Sequence, residues 1–390
     1  MDPVRNPYSP GAGAAPPALV GRDAEIEAFD VAVRRLALGR SARSVILTGL
    51  RGVGKTVLLG EFGRIAERHG WLYQSIEAAE DLPFAEAIGT VVRKALLRLS
   101  PGEVAAARVR RALGVLKSFQ LRWKLPNGGD VSVGLDPVPG PADSGLLDED
   151  LAGLFMEVGS AARDRGVGVL IAIDEVQYLP REHLGALMVG LHRVSQERAP
   201  IVVAAAGLPS VPGLLGAARS YAERLFTFTV INSLADADAQ VALVSPAAAE
   251  GVEWRAEALQ RILTETGGYP YFLQEFGKHA WNAADGPGAI TAADVDAAVP
   301  RAIDELDAGF FRVRIDRATN TERACLTAMA SLGAGPYRSA DVAGAIGGKA
   351  AGAEDTVAAL VANGLCYAPR HGELDFTVPL FDQFVRRRLA

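Results

Sequence analysis

Eight consecutive residues, Gly49-Leu50-Arg51-Gly52-Val53-Gly54-Lys55-Thr56, carry the most specific chemistry in the chain. Glycines let a backbone approach an anion closely and turn successive N–H groups toward it, and a helix starting at Lys55 adds the positive end of its dipole. In a loop of this pattern the lysine reaches the β- and γ-phosphates of a nucleotide. The hydroxyl beside it takes one position on Mg²⁺, an ion that prefers oxygen ligands and retains water. Context supports the motif. Ser44-Val45-Ile46-Leu47-Thr48 enters the loop as a short buried strand, and Leu58, Phe62 and Ile65 share one face of the helix that leaves it. ATP and Mg²⁺ are therefore the expected ligands. Residues 49–57, through Val57, form the cradle, with Lys55 on the phosphates and Thr56 on the metal.

The run VGVLIAIDE, ending at Glu175, supplies the acidic half of such a site. An apolar central strand delivers Asp174 to its carboxyl end, where ligands bind in open α/β sheets, and Asp174 can hold Mg²⁺ through its water shell. Glu175, one residue on, is the candidate general base that polarises the attacking water. Taken alone, an acidic pair after a strand also reads as a solvated loop start. Beside the glycine loop it reads as the hydrolytic half of one site.

The elements that must position these residues follow from periodicity. Helices are expected over residues 23–38, 55–69, 83–99, 103–116 and 148–165, and strands over 44–48, 167–173, 201–206 and 225–231, with a further strand beginning at 71–73. Short, continuously apolar strands alternating with helices imply a parallel sheet covered on both faces. Phe119, Leu121 and Trp123 alternate with polar residues before Asn127-Gly128-Gly129, so an inserted hairpin is expected at about 119–135, packed on its own domain or contacting a partner through Arg122 and Lys124. Residues 233–315 read as an all-α lid, and 316–390 as three helices and a hairpin in winged-helix order. The fold class is thus α/β: a three-layer P-loop domain over 19–232, a helical lid and a winged helix. Residues 1–18 lack an apolar h-region and read as a flexible tail.

Composition sets the outer limits. With 390 residues, 49% hydrophobic and 22% charged, the chain fits a multidomain globular protein. A net charge of −6 provides no global field for nucleic acid or acidic membranes. Two cysteines, Cys325 and Cys366, argue against a disulfide framework and read as small buried side chains in a reducing compartment. No run of about twenty apolar residues occurs, so no membrane association is expected and the cytoplasm is the expected location.

Together these residues resemble the AAA+ ATPases, in the branch of Orc1/Cdc6-like initiators and the related archaeal-type and STAND ATPases. LVGRDAEIEAF, residues 19–29, resembles the leader box of that branch, which implies that the Val20-Gly21 backbone and the Arg22 side chain line the adenine end. The same segment also reads as an ordinary capped helix. AAAGLPS resembles the sensor-1 region, with Ser210 the nearest polar group to feel a γ-phosphate, although family members often carry Asn or Thr closer to the strand. SYAERLF puts Arg224 where the resemblance implies an arginine finger offered to a neighbouring subunit's ATP, and so implies a homo-oligomer. Arg224 alternatively reads as half of a surface ion pair. GGYPYFLQEF lacks the sensor-2 arginine of initiators and looks more like the Gly-x-Pro element of STAND proteins, implying that Pro270 or Tyr269 packs on adenine. Without the resemblance, Gly267-Gly268 ends one helix and Pro270 starts the next.

A winged helix invites a DNA partner, yet basic and acidic residues cancel from Asp316 onward, and Glu354 and Asp355 open the expected recognition helix. Lys349, Arg370, His371, Arg386, Arg387 and Arg388 are left as a phosphate-contacting rim, beside a protein-docking or autoinhibitory alternative. Two functional readings stand: an ATPase that couples hydrolysis to remodelling DNA or protein, and a slowly turning nucleotide-gated switch of the STAND type. A P-loop kinase would need an acceptor site and an arginine-rich lid, and the Asp174-Glu175 pair argues against it.

Overall fold

The computed structural model describes residues 1–11, 13–100, 106–125, 136–286, 288–346, 353–370 and 372–389. Contacts divide the chain into two compact units: Asp23–Thr48 with Leu58–Val230, and Met1–Arg22 with Gly49–Val57 and Ile231–Ala390.

The first unit is built on a parallel sheet. Its elements are α1 (Asp23–Ala37), β1 (Ser44–Thr48), α2 (Lys55–Arg68) from Leu58 onward, β2 (Leu72–Glu77), α3 (Phe84–Leu99), α4 (Ala106–Arg122), α5 (Leu147–Asp164), β3 (Val169–Asp174), α6 (Arg181–Gln196), β4 (Ile201–Gly207), α7 (Val211–Ala218), α8 (Ala222–Leu225) and β5 (Phe226–Val230). The strand order is β2-β3-β4-β1-β5, and every pairing is parallel. Helices cover the sheet in a three-layer α/β arrangement, which is why every residue of β4 is buried and why the strand reads as unbroken apolar sequence. Register aligns the strand ends: Asp174 lies opposite Glu77 of β2, and Thr48 opposite Gly207 of β4. Asp174 and Thr48 therefore both finish their strands at the carboxyl edge, where open α/β sheets bind ligands.

Strand and helix bounds agree with the periodicity to within a few residues, except in one place. The expected hairpin at 119–135 is wrong in its first half, because α4 continues to Arg122. Ala112, Leu116 and Phe119, all fully buried, follow helical spacing across the segment. The alternation that suggested a strand is not followed by burial: Gln120 is 3% exposed whereas Leu121 is 55% exposed. The remainder of that expectation, residues 126–135, lies outside the described residues.

The second unit contains α9 (Asp236–Ala249), β6 (Glu253–Trp254), α10 (Ala256–Thr266), α11 (Pro270–Ala283), β7 (Ala289–Ile290), α12 (Ala292–Glu305), α13 (Arg312–Ile315), α14 (Asn320–Ser331), β8 (Tyr337–Arg338), α15 (Ser339–Ala345), α16 (Ala353–Ala362), β9 (Cys366–Tyr367), β10 (Glu373–Phe376) and α17 (Phe381–Arg388). The expected all-α lid carries a two-residue parallel pairing, β6 with β7, and the last module has an antiparallel sheet ordered β8-β10-β9. Contacts do not separate the two at 315/316. Phe311, in the wide helical turn after α12, packs on Phe381 and Phe384 of α17 with ring centroids 5.6 and 5.3 Å apart, and the carboxylate of Asp307 holds Arg387 and Arg388. Cys325 and Cys366 are both free and buried.

Within the flexible tail expected at 1–18, the segment from Asp2 to Tyr8 is anchored. Tyr8 is 4% exposed; its hydroxyl donates to the Leu243 carbonyl at 2.5 Å and accepts from the Trp254 indole at 2.7 Å. The Asn6 amide donates to the Lys278 carbonyl, and Trp281 donates to Asp2. One aromatic anchor with a satisfied hydroxyl outweighs a Pro/Gly-rich composition. Among the described residues no helix is long and apolar enough to cross a membrane.

Candidate functional site

The glycine loop lies within the second unit, and its backbone conformation is one that only glycine adopts easily. Gly52 and Gly54 have φ of 88° and 95°, where a Cβ would be strained. A Cβ on Gly49 would fall 2.2 Å from the Ile231 carbonyl oxygen, so the exit from β1 has no room for a side chain. Lys55 is the first residue of α2 and 7% exposed; its ammonium donates to the carbonyls of Gly49 at 2.8 Å and Leu50 at 2.7 Å. The cation thus sits inside its own loop. Thr56, next on the helix, is exposed, and Val57 is half-buried.

Four further contacts fix this loop from within its own unit. Arg22, 8% exposed, donates to the carbonyls of Val53 at 3.2 Å and Asn232 at 2.5 Å. Tyr269 donates its hydroxyl to the Arg51 carbonyl, and burial pushes that hydroxyl far above the usual phenol range, so it stays a donor. The Tyr271 N–H donates to the Gly52 carbonyl at 3.2 Å, and the Arg51 N–H donates to the carbonyl of Thr377, just after β10, at 3.3 Å. The expected adenine-lining residues are therefore engaged with the loop backbone: the Arg22 guanidinium is held by carbonyls, and Tyr269 is 1% exposed beneath Gly52. Val20 and Pro270 are half-buried. Gly21 has φ of 65° with Asp238 where its Cβ would stand. Gly267 ends α10 in a left-handed cap and Pro270 opens α11, as the plain helix-boundary reading expects.

The acidic pair lies in the first unit. Asp174 is the last residue of β3, and its carboxylate accepts the Glu175 N–H at 2.8 Å. Glu175 itself occupies the left-handed region, φ 51° and ψ 38°, an uncommon conformation for a side chain of this size. Its carboxylate accepts from the Gln177 amide, and the Gln177 oxygen accepts the Leu208 N–H at 3.1 Å. Ser210 precedes α7, half-buried, and makes no capping bond with its side chain. Arg224 on α8 is exposed and makes no ion pair among the described residues, so the surface-pair alternative has no partner there.

Two sets of charged residues outside this chemistry are already compensated. Of the expected phosphate-contacting rim, Arg387 and Arg388 pair with Asp307, which is 3% exposed, and Arg386 donates to the Ala330 carbonyl and pairs with Asp382. Arg387 and Arg388 thus tie the last helix to the turn after α12, and Arg386 ties it to the end of α14. Arg370 is exposed and meets Glu373 at 4.0 Å, while Lys349 and His371 lie outside the described residues. Among the described residues one His/Glu group, Glu275, His279 and Glu305, brings its ligand atoms within 4.8 Å of one another. The Lys278 ammonium already bridges its two carboxylates, at 3.1 and 2.7 Å. Sequence reasoning missed Gln177, Tyr271 and Thr377. Only Gln177 left a local signal, a polar side chain two residues after the acidic pair.

The AAA ATPase domain family matches residues 18–204, and a family described as a domain of unknown function matches residues 308–385. No curated protein matches the chain. Among solved structures, the fold is similar to a Walker-type ATPase of Pyrococcus abyssi at 14% identity and a TM-score of 0.60, covering 94% of this chain and 96% of that one. The Orc1 protein of Aeropyrum pernix in complex with DNA aligns at 12% identity and a TM-score of 0.45, over 95% and 93% of the two chains. A RuvB mutant of Thermotoga maritima aligns at 14% and 0.45, over 95% and 96%.

Proposed function

We propose that the protein, whose residues 18–204 match the AAA ATPase domain family and whose fold is similar to that of a Walker-type ATPase, binds ATP with Mg²⁺ and hydrolyses it to ADP and phosphate. The observation that carries this reading is one of placement: the strained-glycine loop with Lys55 at a helix start is chained directly to Thr48, which ends at the same sheet edge as Asp174. In this reading Gly49 to Val57 cradle the phosphates and Lys55 neutralises them. Thr56 and Asp174 would hold Mg²⁺, which when bound would draw charge from the phosphate oxygens. Glu175 orients and deprotonates the attacking water. Ser210 reports the γ-phosphate, the adenine end falls to Val20, Gly21, Arg22 and Pro270, and exposed Arg224 completes a neighbouring copy's site in trans.

The test is phosphate release with ATP and Mg²⁺ by the full chain, lost in Lys55→Ala. Mass measurement of Glu175→Gln with ATP then reads the finger. Assembly that needs nucleotide, with turnover lost in Arg224→Ala at unchanged ATP affinity, supports it; a monomer under all conditions removes it.

A second reading, a slow nucleotide-gated switch, is favoured by the Arg51 N–H bonded to the Thr377 carbonyl. Through that bond the last module, read as a winged helix, touches the phosphate loop itself, so a bound phosphate and the module compete for one donor. Turnover with and without duplex DNA separates the two: rapid DNA-stimulated hydrolysis rejects the switch. A protein partner is the alternative to DNA for this module.

A further inference from the structure

Gln177 belongs to neither the phosphate loop nor the acidic pair, yet it touches the candidate base. A carboxamide has one accepting end and one donating end, and the surroundings decide which faces where. The Leu208 N–H can only donate, so the Gln177 oxygen must face it, at 3.1 Å. The amide nitrogen is thereby aimed at the Glu175 carboxylate, to which it donates. Gly207 gives this bridge its room: a Cβ there would fall 2.6 Å from the Gln177 oxygen and 2.6 Å from Val211. Glu175 is meanwhile held in the left-handed region, a conformation that persists only where surrounding contacts over-determine it.

We propose that Gln177 is a positioning residue that ties the orientation of the Glu175 carboxylate to the loop between β4 and α7. Leu208 stands two residues before Ser210, so a shift of that loop on sensing nucleotide moves the Leu208 N–H, rotates the Gln177 amide and redirects the carboxylate. The bridge gives the β4 exit control over the base. The proposal rests on Glu175 being the base for ATP hydrolysis.

The experiment uses the full chain with ATP and Mg²⁺. Gln177→Leu should lower kcat roughly tenfold, the order of one lost hydrogen bond to a charged group, with KM for ATP unchanged. Gln177→Glu keeps an acceptor for the Leu208 N–H but sets a second carboxylate against Glu175. It should lose at least as much kcat, whereas a purely structural tie to Leu208 predicts near-normal kcat. Gly207→Ala should lower kcat in the parent chain and add little to Gln177→Leu, because both break one bridge. If Glu175→Gln destroys turnover while both Gln177 variants keep parental kcat, this proposal alone falls. If Glu175→Gln turns over normally, the base assignment falls and takes the proposal with it. Should Gln177→Leu fail to fold, Gln177→Glu, close to isosteric with the native side chain, decides the matter.

Discussion

The phosphate loop and the acidic strand end are built from different materials. The loop is backbone architecture: two glycines at φ near 90°, and carbonyls of Arg51, Gly52 and Val53 held by Tyr269, Tyr271 and Arg22. The strand end is side-chain architecture, in which a left-handed Glu175 lies between Asp174 below and Gln177 beside it. A backbone cradle recognises the shape and charge of phosphate and serves binding; an oriented carboxylate moves a proton and serves the chemical step. Loss of either should therefore be visible in a different kinetic constant.

The largest expected effect tests the chemical half. Glu175→Gln should cut kcat by roughly 10²–10⁴-fold while ATP affinity stays within a few-fold; equal losses in both constants would break the division of labour. Lys55→Ala should weaken ATP binding by about 100-fold, the order of its charged contacts to phosphate, read by titration with a fluorescent ATP analogue. Retained affinity there would remove the cradle from the argument.

A backbone lesion sharpens the contrast. Gly52→Ala forces a Cβ into φ 88° and 3.1 Å from the Tyr269 ring, so ATP affinity should fall by about tenfold, the order of 1–3 kcal/mol of strain. The matching change beside Glu175, Gln177→Leu, should leave affinity alone.

The smallest effect concerns the scaffold behind the acidic half. His183 near the start of α6 stacks on Phe84 with centroids 5.2 Å apart, and its buried Nδ1 has no hydrogen-bond partner among the described residues. Burial holds its imidazole below the ordinary 6.5. The unfolded chain then takes up the proton first, so this contribution is complete above about pH 6.5 and is lost as pH falls from there toward the folded value. His183→Phe should flatten the acid-side fall of the thermal midpoint by about 2 °C, and an unchanged slope would show that this imidazole does not couple to folding.

Legibility in the sequence followed the range of the interactions. β1, the loop and α2 could be read because strand, glycine turn and amphipathic helix are neighbours in the chain, and β3 with its acidic end because a strand buried on both faces is uniformly apolar. The segment around Phe119 was misread because four or five residues of alternation also satisfy helical spacing, and the decision came from Gln120 being buried and Leu121 exposed. Tyr8 was missed because its partners, Leu243 and Trp254, lie more than two hundred residues away.

The sequence alone determined the local chemistry of this protein: which loop has the glycines and lysine to wrap a phosphate, and which strand ends in two carboxylates. Those properties depend on residue type and short spacing, which a chain carries wherever it folds. Tertiary structure decided what restrains them. It brought Thr377 and Tyr269 to the loop backbone, set Gln177 between Glu175 and Leu208, and closed Arg387 and Arg388 onto Asp307. The physical reason is that, apart from the local step from Gln177 to Glu175, each of these bonds joins groups distant in the chain, and only packing determines which donor meets which acceptor.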